Sequence, residues 1–204
     1  MTSKGLEWYT VPMQKIVIAT NNAGKLREIR EILGDRFEIL SLNDVGLKID
    51  VEETGATFAE NALIKARAVF DLCGVPALAD DSGLEVDALG GAPGVYSARY
   101  AGGHGDDGAN NALLLENMRA ASDRSCRFVS AVVLYRGADD YLTAYGATYG
   151  TLLYAPDGNN GFGYDPLFFS KDLGKSFGRA SQEEKNSVSH RYRALKNLEE
   201  QLCE

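Results

Sequence analysis

The sequence predicts an α/β domain, and three observations predict it. A short β-branched run, Lys15 to Thr20, passes through a small polar loop into a helical pattern. A second apolar run, Val75 to Ala79, stops at two adjacent carboxylates, Asp80 and Asp81. Two long β-rich runs, Cys126 to Tyr135 and Tyr141 to Tyr154, flank Arg136-Gly137-Ala138-Asp139-Asp140, which reads as a hairpin connection extending the sheet. At 204 residues the chain is expected to form one domain or one two-lobed domain with a sizeable core.

Met1 to Pro12 show no periodicity. With the next two residues they read as an N-terminal extension (1–14) ahead of a single domain (15–204), with Trp8 and Tyr9 its candidates for packing. After the first strand comes Asn21-Asn22-Ala23-Gly24-Lys25, and then Leu26, Ile29, Ile32 and Leu33 fall on one helical face. Strand, polar glycine loop, lysine and helix together aim backbone N–H groups and a cation at a phosphate. A plain turn capped by asparagine is the alternative. A lysine in the first turn opposes the helix dipole, which favours a ligand. The spacing of a Walker A loop is absent.

Phe37 to Leu42 reads as a second strand, and Asp50-Val51-Glu52-Glu53-Thr54-Gly55 as an acidic loop. Thr57 and Glu60 are a capping-box pair for a helix from Phe58 to Cys73. Phe58, Ala62, Ala66, Val69 and Phe70 share its apolar face, with Asn61 and Lys65 among its polar positions. Such residues ordinarily face solvent, as do Glu52 and Glu53 unless the fold brings them beside Asp81.

The run ending at Asp80-Asp81-Ser82-Gly83 reads as a buried strand whose end opens into a site, with Ser82 and Gly83 turning the backbone. Neighbouring carboxylates repel, so both ionise easily only beside a cation or strong donors. Taken alone, the tetrapeptide reads equally well as an ordinary turn.

Gly90-Gly91-Ala92-Pro93-Gly94 cannot be regular structure and leaves Tyr96, Ser97, Arg99 and Tyr100 in a loop, a common setting for binding residues. Gly102 to Gly108 is an expected polar loop, and Asn110 to Ala120 a helix with Leu114, Leu115 and Met118 inward. Ala155 to Asp165 is turn-rich, and Pro166 to Phe169 a short strand. Gly161-Phe162-Gly163-Tyr164-Asp165 lets the backbone approach a flat ligand, with Phe162 stacking on it; a hairpin turn with a buried aromatic is the alternative. Ser181 to Glu184 opens a short helix leading to Lys185. Ser189 caps the last helix, which has Leu195, Leu198 and Leu202 inward. His190 and Arg191 are then cations at a helix start, suited to an anion or a purine edge; alone, they read as a surface pair.

The net charge of −8 argues against general nucleic-acid binding but not against a small polyphosphate accompanied by a divalent cation. Cys73, Cys126 and Cys203 lack metal-ligand spacing and point to reduced thiols in the cytoplasm. No run predicts a membrane span or a leader.

Six motifs, in order, now resemble one family. They are Ala19-Thr20-Asn21-Asn22-Ala23-Gly24-Lys25; Glu52-Glu53-Thr54-Gly55 with Phe58 and Glu60-Asn61-Ala62; and Ala79-Asp80-Asp81-Ser82-Gly83-Leu84. Gly90-Gly91-Ala92-Pro93-Gly94 with Tyr96-Ser97-Ala98-Arg99-Tyr100, Gly161-Phe162-Gly163-Tyr164-Asp165-Pro166, and Glu184-Lys185 with Ser189-His190-Arg191 complete the set. From Lys15 to about Leu202 the chain resembles the Ham1 family of inosine triphosphate pyrophosphatases. The resemblance implies a two-lobed fold with a long mixed sheet, flanking helices and a central cleft. It implies hydrolysis of ITP, dITP and XTP to the monophosphate and pyrophosphate, cleansing the nucleotide pool, with Mg²⁺ as cofactor and a homodimer as assembly. By position, Thr20, Asn21, Asn22, Ala23, Gly24 and Lys25 would hold the triphosphate. Asp81 would be general base or metal carboxylate, Glu52 a metal ligand, and Ser82 a substrate contact. Phe162, Gly163, Tyr164, Asp165, Lys185, His190 and Arg191 would close round the nucleotide, with Arg99 near the base.

The residue chemistry agrees. Mg²⁺ with Lys25 and Lys185 can neutralise a triphosphate, Asp81 can deprotonate a water, and Asp80 can tune Asp81 or bind metal. Arg99 or Arg191 can donate to the O6 of a 6-keto purine, which adenine lacks. Leu113 stands where the family often carries a lysine. The rivals are a Maf-like nucleotide pyrophosphatase, a non-catalytic nucleotide sensor and a dinucleotide-binding oxidoreductase; the last lacks its Gly-x-Gly-x-x-Gly fingerprint.

Overall fold

The computed structural model describes residues 13–103 and 105–203. The expected packing of Trp8 and Tyr9 lies outside the described residues. The first strand, β1 (Gln14–Ile18), begins one residue inside the expected extension. Helix α1 (Ala23–Leu33) follows, capped by the Asn22 side chain, which accepts from the Lys25 N–H. Next come β2 (Phe37–Leu40), α2 (Phe58–Cys73) and β3 (Ala77–Val86). The Thr57/Glu60 capping box forms in full, and α2 has the bounds that its cap and periodicity predict. Beyond lie α3 (Asp107–Asn117), β4 (Ser125–Gly137) and β5 (Asp140–Leu152). The chain ends with β6 (Phe168–Ser170), β7 (Lys175–Ser176), α4 (Gln182–Val188) and α5 (His190–Gln201).

The strands form one mixed sheet in the order β2-β1-β3-β4-β5-β6-β7. Parallel pairing joins β1 to β2 and β3; every later neighbour is antiparallel. Ala138 and Asp139 both take left-handed backbone angles, the two-residue turn that matches strand twist, and connect β4 to β5. Helices α1 and α5 cover one face through Ile29, Leu33, Leu195 and Leu198 against Ile16, Ile18 and Leu134. Helix α2 covers the other through Ala62, Ala66 and Val69 against Val17, Ala79 and Val133. A separate apolar cluster around Leu114, Phe128, Phe168 and Phe177 fills the far half of the sheet. The cleft runs between these halves.

Three sequence expectations fail here. The strand does not stop at Asp80, and Ser82-Gly83 is no turn: β3 runs on through Val86, because each of its residues pairs with one of β4 from Tyr135 back to Cys126. Gly83 is needed for a different reason. A Cβ there would overlap the Gly94 carbonyl and the Ser97 hydroxyl. Gly94–Arg99 is also not an open loop but a 3₁₀ helix, packed on β3 through Ser97, whose hydroxyl accepts from the Leu84 N–H at 3.0 Å. Helix α3 starts at Asp107, inside the expected 102–108 loop, because Asp106 caps it.

Candidate active site

The site follows from a mismatch in strand length. Strand β1 pairs with β3 only through Ala77 and Leu78, while β3 continues for eight more residues. Past the carboxyl end of β1, the β1-facing edge of β3 is left open, and a crevice at such a point is where α/β sheets place ligands. A cleft of ≈ 480 Å³ opens there, lined by Thr20, Asn22, Lys25, Glu52, Asp81, Ser82, Arg99, Phe162, Lys185 and His190 among others.

Successive strand residues point to opposite faces, so Asp80 and Asp81 are separated by the pleat rather than held against each other. On the α1/α5 face, Asp80 is 1% exposed. It accepts from Lys25 at 2.9 Å, Arg191 at 2.9 Å, Ser82 at 3.2 Å, and the Ser130 hydroxyl. Burial works to raise its carboxyl, but Arg191 and Lys25 hold it well below the ordinary range. With its oxygens taken by Lys25, Arg191, Ser82 and Ser130, Asp80 holds the cations around it; of its two expected roles, tuning Asp81 or binding metal, its place off the cleft surface favours the first. On the α2 face, Asp81 lines the cleft. It accepts from Lys65 at 2.7 Å and Asn61 at 3.4 Å. Burial pushes its carboxyl up, against the pull of Lys65 and Lys25.

The ion pairs continue outward from both carboxylates. Arg191, with none of its side chain exposed, bridges Asp80 and Glu28; Lys185 bridges Glu28 at 2.9 Å and Asp165 at 2.6 Å. Lys65 bridges Asp81 and Glu53, which also takes Arg99 at 3.0 Å. Five cations thus alternate with five carboxylates along the cleft, a network without a free buried charge. Lys25 and Lys65 converge from opposite faces on the Asp80 carbonyl, at 3.2 and 3.3 Å.

The Thr20–Lys25 loop, expected to hold the triphosphate, carries β1 into α1 at the cleft. Thr20 accepts from the Asn22 N–H at 3.1 Å, Asn21 donates to the Ile49 carbonyl at 2.9 Å, and Ala23 and Gly24 form the first turn of α1. Gly24 must be glycine, since a Cβ would sit 2.8 Å from the Phe162 ring. Phe162 therefore caps the start of α1, with Lys185 4.4 Å from its ring centre. Asp165 is buried; it accepts from Lys185 and from the Phe162 N–H at 2.8 Å. Tyr164 donates to the Ser97 carbonyl at 2.9 Å.

His190 is not a cation at a helix start. It is 4% exposed, its ring stacks on Phe128 at 4.9 Å, and burial beside Arg191 pushes it well below its ordinary pKa. Among the described residues its Nδ1 has no hydrogen-bond partner. Nor do His190 and Arg191 form a surface pair. Arg191 spends its guanidinium on Asp80, Glu28 and Ser82.

The sequence alone does not single out Glu28, Asn61 and Lys65 as site residues. The signal was present: Phe58, Asn61, Ala62, Lys65, Ala66 and Val69 form one helical stripe, so Asn61 and Lys65 fall inside the apolar face. Among the described residues, no three His, Cys, Asp or Glu side chains converge as a preformed metal cage. Mg²⁺ commonly takes only one or two carboxylates and completes its shell with phosphate oxygens and water. Asp81 and the exposed Glu52, both at the cleft, are hard oxygen donors of that kind.

Fold and site define an α/β protein whose cleft presents paired lysines, a helix N-terminus and an aromatic cap, the equipment for a nucleotide polyphosphate. The profile of the Ham1 family matches residues 16–201, and the chain belongs to that family. It is 47% identical over 199 residues to a dITP/XTP pyrophosphatase of Clostridium perfringens, covering 93% of this chain and 98% of that one. It is 51% identical over 195 residues to the protein of that name from Xylella fastidiosa strain Temecula1, covering 93% and 98%. The fold matches the structure of a HAM1 protein from Coxiella burnetii with TM-score 0.84 at 41% identity, covering 94% of this chain and 99% of that one. It matches the Staphylococcus aureus Ham1 protein with TM-score 0.83 at 39% identity, covering 93% and 98%.

Proposed function

We propose that this protein hydrolyses non-standard purine nucleoside triphosphates, ITP, dITP and XTP, to the monophosphate and pyrophosphate, and so keeps these nucleotides from incorporation into DNA and RNA. The observation that carries the reading is the division of labour between adjacent carboxylates: Asp80 is locked in cations, while Asp81 faces the cleft beside Lys65. The α1 N-terminus with Thr20, Asn22 and Lys25 binds the phosphates. Asp81, held by Asn61 and Lys65, orients a water and accepts its proton as the oxygen attacks the α-phosphorus. The new P–O bond replaces the α–β anhydride link, and pyrophosphate leaves into the field of Lys25, Lys65 and Lys185. Asp81 and Glu52 would hold Mg²⁺, which supplies neutralisation of the triphosphate's charge. The base lies toward Phe162, Tyr164 and His190, where neutral His190 offers an imidazole edge and Arg99 a donor for O6.

The protein is placed in the cytoplasm, a reading supported by three free cysteines; among the described residues no helix is long and apolar enough to cross a membrane. A homodimer fits the uncovered row of Tyr141, Tyr145 and Tyr149 along β5, which are 44%, 57% and 52% exposed.

The test is pyrophosphate release from ITP, XTP, GTP, ATP and dTTP, with and without Mg²⁺. Mg²⁺-dependent release from ITP and XTP, with little from the others, supports the reading. Release from dTTP, or from all equally, moves it to a Maf-like or broad pyrophosphatase, and binding without release makes the protein a sensor.

A further inference from the structure

Phe162 sits between two glycines with left-handed backbone angles, Gly161 at φ +77° and Gly163 at φ +61°. Neither glycine brings a side chain to anchor the segment, so its place depends on what grips the backbone. On one side the Phe162 N–H donates to Asp165. On the other, the N-terminal part of α3 holds Gly163 at both of its polar groups. The Gly163 N–H donates to Asp107 Oδ2 at 2.7 Å, and Asn111 Nδ2 donates to the Gly163 carbonyl at 3.1 Å. Asp107 and Asn111 are one helical turn apart and so reach the same peptide neighbourhood. Asp107 also lines the cleft.

We propose that Asp107 and Asn111 are positioning residues that set how the Phe162 cap closes over a nucleotide bound at the α1 N-terminus. This rests on the proposed function for what the cap covers, though not for the grip itself. A carboxylate accepting from a backbone N–H makes a charge-assisted bond, about twice as strong as a neutral one. Without it the two-glycine segment loses its fixed angle, and Phe162 is presented to the ligand only part of the time. The cost falls on binding rather than on the bond-breaking step, because Asp81 and Lys65 are held from β3 and α2 by Asn61, Glu53 and each other.

The experiment pairs amide hydrogen exchange over residues 160–165 with steady-state pyrophosphate release from ITP in the whole protein. Asp107→Ala is expected to speed exchange of the Gly163 amide and to raise KM for ITP about tenfold, with kcat within about twofold. Asp107→Asn, which keeps an acceptor oxygen, is expected to restore most of both. Asn111→Leu tests the same grip through the carbonyl, should Asp107→Ala fail to fold. Unchanged exchange in Asp107→Ala and Asn111→Leu overturns the grip. Faster exchange with unchanged KM overturns its role in positioning the cap. If wild-type protein releases no pyrophosphate from ITP, the proposed function fails by itself and the exchange result still decides the grip.

Discussion

The two faces of β3 carry the same chemistry to different ends. On the α1/α5 side, Asp80, Glu28, Lys25, Lys185 and Arg191 form a buried network in which Asp80, Glu28 and Arg191 are at most 1% exposed. On the α2 side, Asp81, Lys65, Glu53 and Arg99 use equally short ion pairs but open onto the cleft, with Arg99 29% and Glu53 20% exposed at the side chain. Asp80, Glu28 and Arg191 on the buried side are a frame, since their charges are paired within the protein; Lys25 and Lys185 reach from that frame to the cleft. The open side can trade partners with a ligand, because water or phosphate can replace a carboxylate on Lys65 or Arg99. Burial alone therefore does not mark the working residue; the working carboxylate is the one that itself lines the cleft, as Asp81 does and Asp80 does not.

The largest effect that should separate the sides is on stability. Glu28→Ala leaves Arg191 and Lys185 without their shared carboxylate and should cost about 3–5 kcal/mol, read by denaturant unfolding. Arg99→Ala breaks a partly exposed pair and should cost no more than about 1 kcal/mol. A comparable loss in both would erase the distinction.

Acid should dismantle the frame in two stages. Burial tends to raise Glu28, but Arg191 and Lys185 hold it at about 2. Its contribution is present above the unfolded value of 4.5 and is lost as pH falls toward 2. His190 is held neutral, so the unfolded chain takes up a proton that the folded one refuses, and stability should begin to decline below about 6.5. Thermal unfolding between pH 7.5 and 3 checks both, and Glu28→Gln should flatten only the lower stage.

The smallest effect lies outside either network. Lys15 and Glu38 pair at 3.4 Å with side chains 60% and 48% exposed. Lys15→Ala should move stability by less than about 1 kcal/mol, and less still in high salt.

How much of this the sequence announces depends on how local the cause is. Helix α2 is legible to its bounds because Thr57 and Glu60 make its cap within one turn. The last helix with its Ser189 cap, and α1 with its Asn22 cap, are legible for the same reason. The course of β3 is not, because Asp80 to Gly83 has the composition of a turn and is kept extended only by β4, some fifty residues away. The roles of Asp80 and Asp81 are equally non-local: strand alternation sends them to opposite faces, and only the fold decides which face holds the cleft. Glu28 and Ser130 become site residues solely through tertiary contact with Arg191 and Asp80.

The central claim is that Asp80 holds and Asp81 works, and the matched pair Asp80→Asn and Asp81→Asn tests it most directly. Thermal unfolding and pyrophosphate release from ITP are measured on both. Asp81→Asn should melt within about 3 °C of wild type yet lose about 10²–10⁴-fold in turnover. Asp80→Asn strands Lys25 and Arg191 and should lower the melting temperature by roughly 10 °C. A stable Asp80→Asn, or a fully active Asp81→Asn, would contradict the account.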